Sequence, residues 1–142
     1  MTPGAPARRG WCDVSLTPVE MLAEFHGAFG QPFGHGNIRN SELRIDLHQE
    51  ETEELVEALE AADLVGAAKE LADVVYVAYG TAHSLGIPLD AVLAAVHESN
   101  MSKFGPDGPV LSETGKVLKS DRYVPPDIAA VLQAHAGEPV AS

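Results

Sequence analysis

Carboxylates recur in this chain where a helix needs apolar side chains. From Glu42 to Asp63 there are nine Asp and Glu against Arg44 alone, a net −8 of the whole chain's −12. The same segment has helical spacing. With Leu43 set at 0° and about 100° per residue, Leu47 falls at about 40° and Ala58 at about 60°. Glu54 falls at about 20°, Glu50 at about 340° and Glu51 at about 80°, on the stripe that Leu43 and Leu47 are expected to bury. Glu53, Glu57 and Glu60, at about 280°, 320° and 260°, face away and read as solvated acids. An uncompensated carboxylate on a buried face costs several kcal/mol. Only a fold that compensates the first group is open to this sequence.

The next helical segment repeats the pattern. Glu70, Val74, Val77 and Thr81 are spaced i, i+4, i+7 and i+11, with Asp73 at the edge of the stripe one turn from Glu70. Lys69 could neutralise that pair as a simple ion pair. The connection between the two segments is very short, so they are expected to lie antiparallel and to gather four or five carboxylates in one cluster. Cations hold such a cluster together, and hard oxygen donors select Mg²⁺ or Mn²⁺. Other metal chemistries lack their residues. There is no His-Glu-x-x-His, no Glu-x-x-His pair of a di-iron bundle and no Walker A loop. His26, His35, His48, His83, His97 and His135 are scattered along the chain and read as surface or packed imidazoles.

The rest of the chain reads as an all-α plan. Thr17-Pro18-Val19-Glu20 is a capping box with proline at the first helical position, opening a helix that Gly30 ends. Gln31 to Arg39 is loop. A second helix is expected from Asn40 or Ser41 to about Ala62, with Leu43, Leu47, Leu55 and Leu59 as its apolar stripe. Asp63 caps a third, which Gly86-Ile87-Pro88 stops. A fourth runs from about Leu89 to Lys103. Val110 to Lys119 reads as a short hairpin, and Pro125-Pro126-Asp127 opens a last short helix to about His135. One domain over 1–142 is expected, with its core at about 17–130 and frayed ends at 1–16 and 136–142. Much exposed Val and Leu in so short a chain points to a face left for a partner subunit.

Composition excludes several classes. A 142-residue chain with 21 acidic and nine basic residues repels nucleic acid and anionic lipid. No apolar run approaches the roughly 18 residues of a membrane span, and the first ten residues lack the apolar core of a secretory signal. Cys12 is the single cysteine, so no internal disulfide and no thiolate zinc cage can form. A cytoplasmic address is expected. The few basic residues are clustered: Lys103, Lys116, Lys119 and Arg122 lie within a short span. Val92, Val96, Asn100 and Lys103 share one helical stripe, so Asn100 and Lys103 point inward, although Lys103 also suits a helix C-terminus. A basic arm beside an acidic metal cluster is what a Mg-polyphosphate substrate needs.

Together these residues carry a resemblance. Glu50-Glu51-Thr52-Glu53-Glu54 followed by Glu70-Leu71-Ala72-Asp73 resembles the Glu-Glu-x-x-Glu … Glu-x-x-Asp signature of the all-α nucleoside triphosphate pyrophosphohydrolases. Glu24-Phe25-His26, the run Val96 to Lys103 and Gly115-Lys116-Val117-Leu118-Lys119 look like the MazG-like branch with dUTPase activity. The resemblance spans about residues 17–130. It implies a four- to five-helix MazG-like bundle, assembled as a homodimer or tetramer, that uses Mg²⁺, with Mn²⁺ able to substitute. It implies cleavage of a nucleoside triphosphate at the α–β bond to monophosphate and pyrophosphate, with dUTP favoured, as house-cleaning of the nucleotide pool. Phosphoribosyl-ATP pyrophosphohydrolase activity and a non-catalytic nucleotide- or metal-binding dimerisation module are the alternatives. Mapped by the resemblance, Glu51, Glu54, Glu70 and Asp73 would be metal ligands. Glu50 would orient or deprotonate the attacking water. Asn100, Lys103, Lys119 and Arg122 would hold phosphates, and Phe25, His26 and Phe29 would lie toward base and sugar.

Overall fold

The structure, a computed structural model, describes residues 15–137. Of the frayed ends expected at 1–16 and 136–142, residues 1–14, with Cys12, and 138–142 lie outside the described residues. Among the described residues five helices and one two-stranded hairpin follow each other in the order the sequence implies: α1 (Pro18–Gly27), α2 (Glu42–Glu60), α3 (Leu64–Leu85), α4 (Leu89–Met101), β1 (Val110–Leu111), β2 (Val117–Leu118) and α5 (Ile128–Ala134).

Local chemistry sets most of the boundaries. The Thr17 hydroxyl accepts from the Glu20 amide at 3.2 Å while Glu20 Oε1 accepts from the Thr17 amide at 3.3 Å, a reciprocal cap at the start of α1. Asp63 caps α3 by accepting from the Gly66 amide at 3.0 Å, and Asp127 does the same for α5 on Ala130 at 3.0 Å. Gly86 closes α3 at φ 71°, in the left-handed region that glycine occupies without strain. Two helices stop short of expectation. Past Gly27 and past Met101 the chain tightens into i→i+3 bonds, Phe29 N to His26 O and Lys103 N to Asn100 O, rather than continuing α-helix. Beyond α4 the Ser102 hydroxyl also accepts from the Val124 amide at 2.8 Å.

Between α2 and α3 only Ala61, Ala62 and Asp63 intervene, and Ala62 turns the chain with φ 53°. So short a reversal lays the two helices antiparallel, and α2 packs mainly on α3. The α1 helix also packs on α3, and its Val19 and Leu22 are buried with Ala67, Val77 and Ala82. The Gln31–Asn40 loop is stitched to the end of α3: the Gly34 amide donates to His83 O and the Gly36 amide to Ser84 O, each at 2.8 Å. A Cβ at Gly36 would collide with the Ser84 hydroxyl, so this approach needs glycine. Tyr79 donates to Asp90 at 2.7 Å, linking α3 to α4. Burial and then Asp90 push that phenol up to about 12. The α4 helix packs on α5, with Ser99 donating to Val124 O at 2.7 Å.

The face of α2 is rotated from the one its leucines suggest. Leu43 and Leu59 are exposed, at 67% and 60%. The half-buried residues of α2 are Arg44, Leu47, His48, Glu51, Glu54, Leu55 and Ala58. On the same helical wheel they span about 20° to 140°, which puts Glu51 near the middle, Glu50 outside the edge and Leu43 just beyond it. The solvated acids Glu53, Glu57 and Glu60 are exposed as expected.

Candidate metal centre

Because α2 and α3 run antiparallel, the middle of one faces the middle of the other. Ligand oxygens of Glu51, Glu70 and Asp73 lie within 4.8 Å of one another. All three residues are half-buried. Glu51 Oε2 and Glu70 Oε2 are buried without a hydrogen-bond partner. An ionised carboxylate only accepts, and two buried acceptors pointed at each other's neighbourhood lack a donor. Such a set fits a hard divalent cation, which supplies positive charge to several oxygens at once.

Neighbouring side chains compensate in part. Lys69 reaches Asp73 Oδ2 at 2.8 Å and Glu70 Oε1 at 3.1 Å, so the ion pair that the sequence allowed does form. Its ammonium is held well above the usual lysine value by those two acids. The Glu54 carboxyl is pushed up first by the hydrogen bond that a proton on it would give to Glu70, and then by burial and by the charges of Glu70, Glu51 and Glu50. Glu51 is pushed up by desolvation first and then by Asp73, Glu70 and Glu50. Both shifts describe a site that holds more negative charge than its surroundings neutralise. Glu50 is exposed and stands beside the cluster rather than in it.

The remaining candidates are distributed. Phe25 and Phe29, about half exposed, meet edge to face with centroids 5.4 Å apart, and Phe25 meets Tyr76 at 5.6 Å. His26 packs behind them, 5.5 Å from Phe29, and is itself buried. Lys119 lies 4.5 Å over the Tyr123 ring. Asn100 and Arg122 are exposed and Lys103 is half-buried. Among the described residues none of the three basic side chains pairs with the carboxylate cluster. Within one chain the acids are gathered, and the phosphate-side residues are not brought onto them.

Sequence reasoning missed two groups. Arg44 crosses the α2–α3 seam, donating from Nε to the Thr81 hydroxyl at 2.9 Å and from Nη2 to Val77 O at 3.0 Å. His48 Nε2 meets the same hydroxyl at 2.8 Å. Burial holds both Arg44 and His48 below their ordinary pKa values. Their i, i+4, i+7 spacing with Glu51 was the available signal. The histidines are also less scattered than they read: His26, His35 and His83 come together at the end of α3.

Comparison with known proteins agrees with this geometry. The family profile of phosphoribosyl-ATP pyrophosphohydrolase (PRA-PH) matches residues 22–100, which contain α2, α3 and all the clustered acids. An uncharacterised protein, L479, of Acanthamoeba polyphaga mimivirus is 33% identical over 98 residues, 62% of this chain. The chain spans 39% of that relative's length. With more than half its length matched and its paired acids converging, the chain belongs to the phosphoribosyl-ATP pyrophosphohydrolase family, within the MazG-like all-α nucleoside triphosphate pyrophosphohydrolase superfamily.

Proposed function

We propose that the protein hydrolyses a nucleoside triphosphate at the α–β phosphoanhydride in the presence of Mg²⁺, with dUTP the leading substrate. The observation that carries this is the convergence of Glu51, Glu70 and Asp73, with the orphaned oxygens of Glu51 and Glu70, inside a family named for pyrophosphohydrolysis. In this reading Glu51, Glu54, Glu70 and Asp73 hold the metal. A bound divalent ion supplies charge neutralisation and orientation for the triphosphate. Glu50, facing solvent beside the ligands, orients the attacking water and takes its proton. Lys69, already bridging Glu70 and Asp73, exchanges that role for the solvent when the cation enters. Asn100, Lys103, Lys119 and Arg122 hold phosphate oxygens. Phe25 and Phe29 offer ring faces toward base and sugar, and His26 supports them through its ring contacts.

The phosphate-side residues need a completing surface, and the helices offer one. Ile45, Val56 and Leu59 of α2 and Leu64, Leu71 and Val75 of α3 form exposed apolar stripes turned away from the α2–α3 seam. A homodimer or tetramer formed through them buries these stripes and sets a second α4 beside the acids. A cytoplasmic address suits a nucleotide-pool activity.

Phosphoribosyl-ATP is the second substrate reading, favoured by the name of the matching family. A panel of nucleoside triphosphates and phosphoribosyl-ATP, scored for pyrophosphate with Mg²⁺, tests both. Orthophosphate and a diphosphate as first products would sink the reaction, and light scattering at 15.0 kDa would sink the assembly.

A further inference from the structure

Ten residues beyond Asp73, about 15 Å along α3, a second group of ligating side chains converges that the acidic centre does not use. A ring nitrogen from each of His26, His35 and His83 lies within 4.8 Å of the others. His26 and His83 are buried, 3% and 6% exposed, and come from α1 and α3. Their Nδ1 atoms are 2.8 Å apart. His35 comes from the loop that the Gly34 and Gly36 amides stitch onto α3, and it is exposed on its outer side.

The arrangement has the parts of a metal site. The His35 Nδ1–H donates to Pro32 O at 2.7 Å. That bond fixes the tautomer and leaves Nε2 with the free lone pair, the outer-shell device that orients ligating histidines. Three imidazoles, one of them from an exposed residue, match the three protein ligands of an open tetrahedral site. Metal–nitrogen bonds of about 2.0–2.1 Å imply nitrogens about 3.3 Å apart in a tetrahedron, so the His26–His83 pair has to open by only about half an ångström. The proton now shared between the two Nδ1 atoms moves to an Nε2 as both lone pairs turn to the ion. Arg44, the neighbouring cation, is directed onto Thr81 and Val77 O instead.

We propose that His26, His35 and His83 form a second metal site, separate from the carboxylate centre, that takes an imidazole-preferring divalent ion of the Zn²⁺, Co²⁺ or Ni²⁺ class. Its occupant joins α1, the 31–40 loop and the end of α3.

The experiment is Co²⁺ titration of the full chain in excess Mg²⁺, followed by visible d–d absorption and by calorimetry. The expected result is one equivalent bound with the strong absorption of a tetrahedral nitrogen site. His35→Asn and His83→Asn should each weaken that uptake more than about tenfold, whereas Glu51→Gln leaves it in place. His35 lies on an exposed loop, so His35→Asn remains informative if His83→Asn fails to fold. No uptake in excess Mg²⁺, uptake indifferent to His35→Asn, or loss of uptake in Glu51→Gln would each overturn the proposal.

Discussion

Glu51→Gln should raise the stability of the metal-free protein while removing most of its response to Mg²⁺. Glu51 is near the middle of the α2 face that meets α3, with ligand oxygens of Glu70 and Asp73 no more than 4.8 Å away. At that separation one like-charge pair repels by about 0.9 kcal/mol at the permittivity of water and by about 3.5 kcal/mol at an effective value of 20. Two such pairs act on Glu51. Lys69, solvent access and salt reduce the sum, so the lower end applies and the net relief on neutralising Glu51 is about 1–2 kcal/mol. The amide also brings an N–H₂ donor toward the partnerless Glu70 Oε2. For a chain of this size about 1–2 kcal/mol corresponds to roughly 2–8 °C in melting temperature.

Mg²⁺ should reverse the order. A cation that binds only the folded state adds about 2.7 kcal/mol at a hundredfold excess over its dissociation constant. The wild type should gain that increment, and Glu51→Gln should gain little at the same concentration. Differential scanning calorimetry in chelator and in Mg²⁺ gives the four midpoints needed. A Glu51→Gln protein that melts at or below the wild type in chelator would refute the repulsion argument. An unchanged Mg²⁺ increment would remove Glu51 from the ligand set.

Glu50→Gln should lower turnover by about 10²–10⁴ with Mn²⁺ affinity nearly unchanged, read by steady-state kinetics beside calorimetry, because Glu50 stands outside the cluster. Ala62→Gly should raise the urea midpoint by the equivalent of about 0.5–1 kcal/mol, since glycine relieves the φ 53° conformation at some cost in unfolded-chain entropy. His26 is held down to about 4, chiefly by burial, so the fold binds fewer protons than the unfolded chain between about 4 and 6.5. Its contribution is complete above 6.5 and is lost as pH falls, whereas the raised carboxyls of Glu51 and Glu54 act in the opposite sense. In chelator the wild type should lose stability between pH 7 and 5, and His26→Gln should flatten that slope by about 1–2 kcal/mol, measured by urea unfolding at each pH.

What the sequence made legible was local. The caps at Thr17, Asp63 and Asp127 and the stop at Gly86 depend on residues three or four apart, and each forms as the residue types dictate. The carboxylates were legible through helical spacing, because the anomaly is relative: an acid at about 80° is wrong wherever the buried arc lies between 20° and 140°. The histidine cluster was not legible. His26 and His83 are 57 positions apart and meet only after α1 packs on α3, and His35 joins them through backbone bonds from the Gly34 and Gly36 amides, which carry no mark of the histidines they bring together.

The misplaced leucines teach the more general point. Helical periodicity reports which residues share a face, but not what covers it. Leu43 and Leu47 set the wheel, yet α3 covers the side bearing Arg44, His48 and Leu55, which turns Leu43 and Leu59 outward. A helix with apolar residues on two sides satisfies two surfaces, and a sequence pattern averages them into one direction. Ile45, Val56 and Leu59 belong to the surface that the described residues leave open, and under the proposed assembly a second copy closes it. The acids escape this ambiguity because they need the neighbouring helix rather than the partner. Lys69, Glu70 and Asp73 lie on α3, and the three-residue reversal brings them to Glu51 before any second chain arrives.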